Sequence, residues 1–156
     1  MASPKQSIRK LSALSSSEMA VLAQAWLLFA WVDLNIRYRP YARWRHWLGD
    51  ERRQTGPAVT DDARSRVVQL AEIAARHHWA PMNCLRRSLV QKRLLAGRGV
   101  AAALHIGVRV APSGAVEAHA WLSADGHLLN DTAEHIAGYQ ALVPDAWDHL
   151  PSFTPD

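Results

Sequence analysis

The period of the apolar residues changes once along this chain, and that change constrains the fold more than any other feature. Up to Ala96 they recur at helical spacing, as in Val67, Leu70, Ala71 and Ala74. From Leu104 the period is two: Leu104, Ile106, Val108 and Val110 alternate with His105, Gly107 and Arg109, and Val116, Ala118, Ala120 and Leu122 alternate with Glu117, His119 and Trp121. Helices first and strands later is the pattern of an α+β domain in which a small antiparallel sheet packs on helices. A chain of 156 residues, 49% hydrophobic, can bury a core as one such domain without metal or disulfide staples. Within it we expect a helical N-terminal extension, residues 1–58, packed on a core of residues 59–156.

Punctuation refines the elements. Ser15 to Ser17 before Glu18 reads as an N-cap with an acidic first turn, opening a helix to about Asn35. Its apolar run, Met19 to Val32, is broken only by Gln24 and falls short of the roughly 20 residues that span a bilayer. We read it as a buried helix whose second face must be covered by the chain or by a partner protein, and do not expect membrane attachment. Pro40 interrupts it, a Trp-rich segment from Tyr41 to Leu48 stops at Gly49, and Asp50 to Ala58 reads as a loop. Thr60, Asp61 and Asp62 cap a helix that ends near His78, and Pro81 and Asn83 precede another from Cys84 to Ala96, stopped by Gly97 and Gly99. The turn Ala111-Pro112-Ser113-Gly114 joins the first two strands. Ala124-Asp125-Gly126 leads into a third, His127 to Asp131, and so to a three-stranded meander. If that second loop has three residues with Gly126 left-handed, Ser123 faces His127, and His119 lies opposite Asp131 with Cβ atoms about 5 Å apart. A two-residue loop would send the pair to opposite faces.

Charge and cysteine usage narrow the class. Residues 1–98 carry 17 Lys and Arg against 7 Asp and Glu, whereas residues 99–156 carry 1 against 7. The two regions can attract each other within the fold, and the basic one can steer an acidic peptide or partner. The basic residues lie in helices rich in Trp and Leu, without a zinc-finger or RNP-type signature, so nucleic acid is not an expected partner. Cys84 is the single cysteine, so no internal disulfide forms, which suits a reducing cytoplasm. Met1 to Leu14 lacks the apolar stretch and cleavage site of an export signal.

Cys84 falls in the first turn of its helix, where the N-terminus favours a thiolate; an adjacent imidazolium would favour it further. His119 then holds the proton and delivers it to a leaving amine, and Asp131 accepts the imidazole Nδ1 proton and fixes the tautomer. The backbone N–H of Cys84 is a natural oxyanion donor at the helix start, and Asn83 could supply a second. Taken singly, Cys84 is also what a small buried apolar residue looks like, and His119 what a hydrogen-bonded strand histidine looks like. The combination, in order, favours chemistry. The other histidines are weaker: His77 and His78 point in different directions on a helix, His105 precedes the hairpin turn, and His46, His127, His135 and His149 lack partners at metal-ligand spacing. We expect no metal and no cofactor.

The run Asn83-Cys84-Leu85-Arg86-Arg87-Ser88-Leu89, with Leu94-Leu95 and Gly97, the strand Leu104-His105-Ile106-Gly107-Val108, then Ala118-His119-Ala120-Trp121-Leu122 and Asn130-Asp131, resembles the lasso-peptide B proteins. These are maturation peptidases of the transglutaminase-like, papain-related superfamily. The resemblance implies a papain-like or transglutaminase-like α+β fold and a cysteine protease with Cys84, His119 and Asp131 at the catalytic positions. The implied reaction is removal of the leader from a ribosomally made precursor peptide, at the leader-core junction, so that a separate ATP-dependent cyclase can close the lasso ring. Fused members carry an extra leader-recognition domain of winged-helix type. Met1 to Ala58 reads as helical with no strand hairpin, so the resemblance implies the standalone peptidase half of a split system, served by a separate leader-recognition protein. Two other readings fit the same residues: a transglutaminase-like acyl transferase, in which an amine replaces water, and a non-catalytic peptide- or partner-binding module.

Overall fold

The structure, a computed structural model, describes residues 14–49 and 59–142, and each long helix in it starts at a side chain that takes up an orphan backbone N–H. Helix α1 (Ser16–Tyr38) opens on a capping box, in which the Ser15 hydroxyl accepts from the Glu18 N–H and the Glu18 carboxylate accepts from the Ser15 N–H. It ends at Arg39, whose extended backbone is the conformation that Pro40 imposes on its predecessor. The Trp-rich segment forms two single turns, α2 (Tyr41–Trp44) and α3 (His46–Gly49). Helix α4 (Asp61–Arg76) is capped by Thr60, and α5 (Cys84–Ala96) by Asn83, whose Oδ1 accepts from the Arg86 N–H at 3.0 Å. The expected loop from Asp50 to Ala58, nearly all of Met1 to Leu14, and His149 lie outside the described residues.

Strands β1 (Ala103–Val110) and β2 (Val116–Ala124) pair antiparallel, with Gly107 opposite His119. Their connection is a turn in which the Gly114 N–H donates to the Ala111 carbonyl, with Gly114 left-handed at φ 83°. The third strand corrects the sequence reading. β3 is only His127–Leu128, and His127 pairs with Ala124 rather than with Ser123. The connection is a two-residue loop, Asp125-Gly126, with both residues at positive φ (51° and 80°), as in the type I′ turn that suits the right-handed twist of a hairpin. Helix α6 (Ala133–Ile136) and strand β4 (Gln140–Ala141) follow, and β4 pairs with the free side of β1. Among the described residues the sheet therefore has four strands, in the order β3-β2-β1-β4, where the sequence predicts three.

The helices and the sheet share one hydrophobic cluster. It runs from Ala25, Phe29 and Val32 of α1 through Val67, Val68, Ala71 and Ala74 of α4 and Leu89, Val90, Leu94 and Leu95 of α5 to Leu122 and Ala124 of β2. By length and composition alone α1 could cross a membrane, with a window of mean hydropathy 1.5. Its Phe29 face is instead shut inside this cluster, while Leu27, Leu34 and Tyr38 are exposed. Helix α5 is fixed from three sides. Arg86 pairs with Asp33 of α1 at 2.8 Å, Gln91 donates to Glu72 of α4 at 2.7 Å, and Ser88 donates to the Ala120 carbonyl of β2 at 3.1 Å.

Candidate active site

Cys84 is the first residue of α5, partly exposed. Its backbone N–H belongs to the first turn, where helical N–H groups have no partner within the helix. Ser88 and Gln91 follow it on the same helix face. The Ser88 hydroxyl meets the Ala120 carbonyl, and Gln91 reaches β2 two residues further on, through Asn130, whose Oδ1 accepts from the Leu122 N–H at 2.8 Å. Helix and strand therefore run the same way. One turn back from Ser88, about 6 Å at 1.5 Å per residue, is Cys84. Two residues back from Ala120, about 6.6 Å at 3.3 Å per residue, is Ala118. By this spacing Cys84 comes level with Ala118, the neighbour of His119, on the side of β2 away from β1, where among the described residues β3 has already ended.

His119 projects from the sheet face shared with His105 and Trp121, and its ring lies 6.0 Å from that of Trp121 and 5.3 Å from that of Tyr139. Gly107, directly opposite, makes room for this packing: a Cβ there would lie 2.8 Å from the Trp121 ring and 2.9 Å from Cβ of Tyr139. His119 Nε2 donates a hydrogen bond to Asp131 Oδ2. The other carboxylate oxygen accepts from the Thr132 N–H at 2.8 Å and pairs with His135 Nδ1 at 2.7 Å. Burial pushes the Asp131 carboxyl up, but the hydrogen bonds from His119, Thr132 and His135 outweigh it and hold the group below the usual carboxylate range.

The expected pair of His119 and Asp131 is present, reached by a different path from the one the sequence suggests. Had β3 continued in its observed register, Asp131 would lie opposite Ala120, on the face away from His119. The chain instead leaves the ladder after Leu128 and bends through Leu129 to Asp131, which carries the carboxylate round to the imidazole. The nitrogen also differs: Nε2, not Nδ1, faces the carboxylate, and Nδ1 has no hydrogen bond among the described residues. The Cys84 thiol likewise makes no hydrogen bond among the described residues. Asn83 is the N-cap of α5, its Oδ1 committed to Arg86, which leaves only its amide N–H groups as donors.

Two residues of the site lie outside the sequence reading. His135, set aside for want of a partner, is four residues beyond Asp131, and a single helical turn brings the two together. Tyr139 packs on both histidines, and the Arg109 guanidinium lies 4.6 Å from the centre of its ring. His119, Asp131 and His135 offer three donor atoms within 4.8 Å of one another, an arrangement that could hold a metal ion; two hydrogen bonds to one carboxylate already use those atoms. A groove of about 300 Å³, lined by Leu28, Trp31, Trp47, Leu89, Lys92 and Arg93, lies along the later turns of α5 and does not include Cys84.

A buried helix that begins on a lone cysteine, packed along a strand whose imidazole meets a carboxylate from the following loop, is the layout in which a thiol, a base and its orienting group can cooperate. No curated protein and no solved structure matches the chain at a significant level. A family model described as the transglutaminase-like superfamily matches residues 22–144, from within α1 to beyond β4 and including Cys84, His119 and Asp131. The fold is accordingly transglutaminase-like, and the chain belongs to the transglutaminase-like superfamily, which includes cysteine proteases and acyl transferases.

Proposed function

We propose that this chain is a cysteine peptidase that removes the leader from a ribosomally made lasso-peptide precursor. The observation that carries the chemistry is the His119–Asp131 pair, its Nδ1 uncommitted, level with a helix N-terminus that starts at the single cysteine. In the proposed reaction the Cys84 thiolate, formed as Nδ1 of His119 takes the thiol proton, attacks the scissile carbonyl at the leader-core junction. The Cys84 N–H, with the Asn83 amide as a second donor, stabilises the oxyanion. Collapse breaks the C–N bond, His119 protonates the leaving amine, and a thioester remains on Cys84. Water, deprotonated by His119, then releases the acid and restores the thiol. Asp131 holds the ring in place throughout.

Support for the lasso-peptide assignment comes from the ordered motifs around Cys84, Gly107, His119 and Asp131, and from their place in this fold. A separate leader-recognition protein and an ATP-dependent cyclase would act beside the peptidase in the cytoplasm. The test is incubation of the full chain with a candidate precursor and its recognition protein, read by mass spectrometry. Hydrolysis yields leader and core masses that sum to the precursor plus one water, whereas acyl transfer yields a product carrying the amine. Cys84→Ala should abolish either product with fold and partner binding retained. Continued processing by that variant would overturn Cys84 as the nucleophile, and an absence of either product with the wild-type chain would leave the binding-module reading.

A further inference from the structure

Beyond Leu129, whose N–H donates to the Leu122 carbonyl at 3.0 Å, no strand among the described residues continues along β2, and its backbone groups on that side need other partners. Two side chains supply partners for two of them. Asn130 Oδ1 accepts from the Leu122 N–H at 2.8 Å, and the Ser88 hydroxyl donates to the Ala120 carbonyl at 3.1 Å. The two are joined, because Asn130 Nδ2 donates to Ser88 Oγ at 3.0 Å and to Gln91 Oε1 at 2.7 Å. Gln91 in turn donates to Glu72 Oε1, so its amide cannot flip without losing α4. Ser88 and Gln91 are 0% exposed, so the α5 end of this network is shielded from competing water.

We infer that Asn130 is a positioning residue that locks the Cys84 helix to the edge of β2 and thereby sets the thiol against His119; this rests on the reading of Cys84 and His119 as a thiol–imidazole pair. Its backbone stands directly before Asp131, its Oδ1 holds β2 three residues from His119, and its Nδ2 holds α5 one and two turns from Cys84. One carboxamide therefore fixes the helix, the strand and the carboxylate loop relative to one another. It touches no reacting atom. No apolar residue of similar size could replace it, since three buried polar groups would lose a partner.

Because Cys84 is the single cysteine, alkylation of the full-length protein by iodoacetamide reads its reactivity without any substrate. The wild type should react at pH 6 nearly as fast as at pH 8, and His119→Ala should be at least about tenfold slower at pH 6. Asn130→Ala and Ser88→Ala should each show a loss of about tenfold at pH 6 that closes by pH 9, and the double variant should be no slower than the slower single one, since both break one lock. Asn130→Asp retains the acceptor for Leu122 and turns the Nδ2 donor into an acceptor; it carries the same expectation should Asn130→Ala not fold. A merely structural role lowers the melting temperature and leaves the pH profile unmoved. An unmoved profile in Ser88→Ala and in a folded Asn130 variant, with His119→Ala slowed, overturns the positioning role alone. A His119→Ala profile equal to that of the wild type overturns the thiol–imidazole reading and this inference with it.

Discussion

Asp131 is where burial and charge are most closely balanced in this molecule. Its side chain is 9% exposed, yet its carboxylate stays ionised because two imidazoles and the Thr132 N–H converge on its two oxygens. Asp131→Asn preserves the size of the group and removes the negative charge that faces His119. We expect kcat for precursor cleavage to fall by about 10²- to 10⁴-fold with KM little changed, measured under saturating precursor. The same residue predicts an acid limb in stability. A carboxyl held lower in the folded chain than in the unfolded one adds stability that is complete above the unfolded value, near pH 4, and is lost as pH falls through the lower folded value. Denaturant midpoints of wild type and Asp131→Asn should differ more at pH 7 than at about pH 3. An equal difference at both would remove the electrostatic account of this carboxylate.

At the scale of elements, the sequence is explicit wherever one local signal decides the outcome. The two-residue period places β1 and β2 to within about two residues, and Asn83 before Cys84 marks the start of α5 because an Asx side chain at that position answers an otherwise unpaired N–H. The second hairpin is different, since Ala124-Asp125-Gly126 supports either loop length. Asp-Gly is itself a strong signal for the two-residue turn, and Asp125 adopts φ 51° with its carboxylate bonded at 2.6 Å to the buried Arg64 of α4, a distant contact that no local pattern contains. The route of Asp131 to His119 through a bend was hidden for the same reason: it depends on Asn130 and Ser88, 42 residues apart, ending the ladder between them. His135 was legible, at helical spacing from Asp131, whereas the two residues of β4 carry no periodicity at all. The turn yields its own prediction. Gly126→Ala places a Cβ in open space but at φ 80°, so strain and not collision should set its cost, about 1 to 2 kcal/mol in urea unfolding. A neutral result would mean that the loop readily adopts another geometry.

For the molecule as a whole, the decisive question is how the helical part and the sheet part hold one site between them. The match to the superfamily begins within α1, and the cluster containing Phe29 also contains Leu95 and Leu122, so the first long helix and the last long strands share a core. A polar link from α1 to α5 across it is Asp33, 4% exposed, which accepts from Arg37 at 2.8 Å and pairs with Arg86 of α5 at 2.8 Å, two residues from Cys84. Coulomb attraction between Asp33 and Arg86 is offset by the cost of taking both out of water, so the pair need not stabilise relative to an apolar substitute. Removing one member alone is another matter, because the survivor stays buried without its counter-charge. Asp33→Leu alone should therefore cost about 3 to 5 kcal/mol, and Asp33→Leu combined with Arg86→Met should recover most of that loss. Denaturant unfolding of both singles and the double variant measures the coupling. If the double variant recovers stability but alkylates Cys84 more slowly than the wild type, the ion pair serves register, fixing the first turn of α5 against α1 where apolar contact alone would let it slide. Additive losses across the cycle would instead mean that the two charges act on separate parts of the core, and that α1 has no specific hold on the end of α5 that bears the thiol.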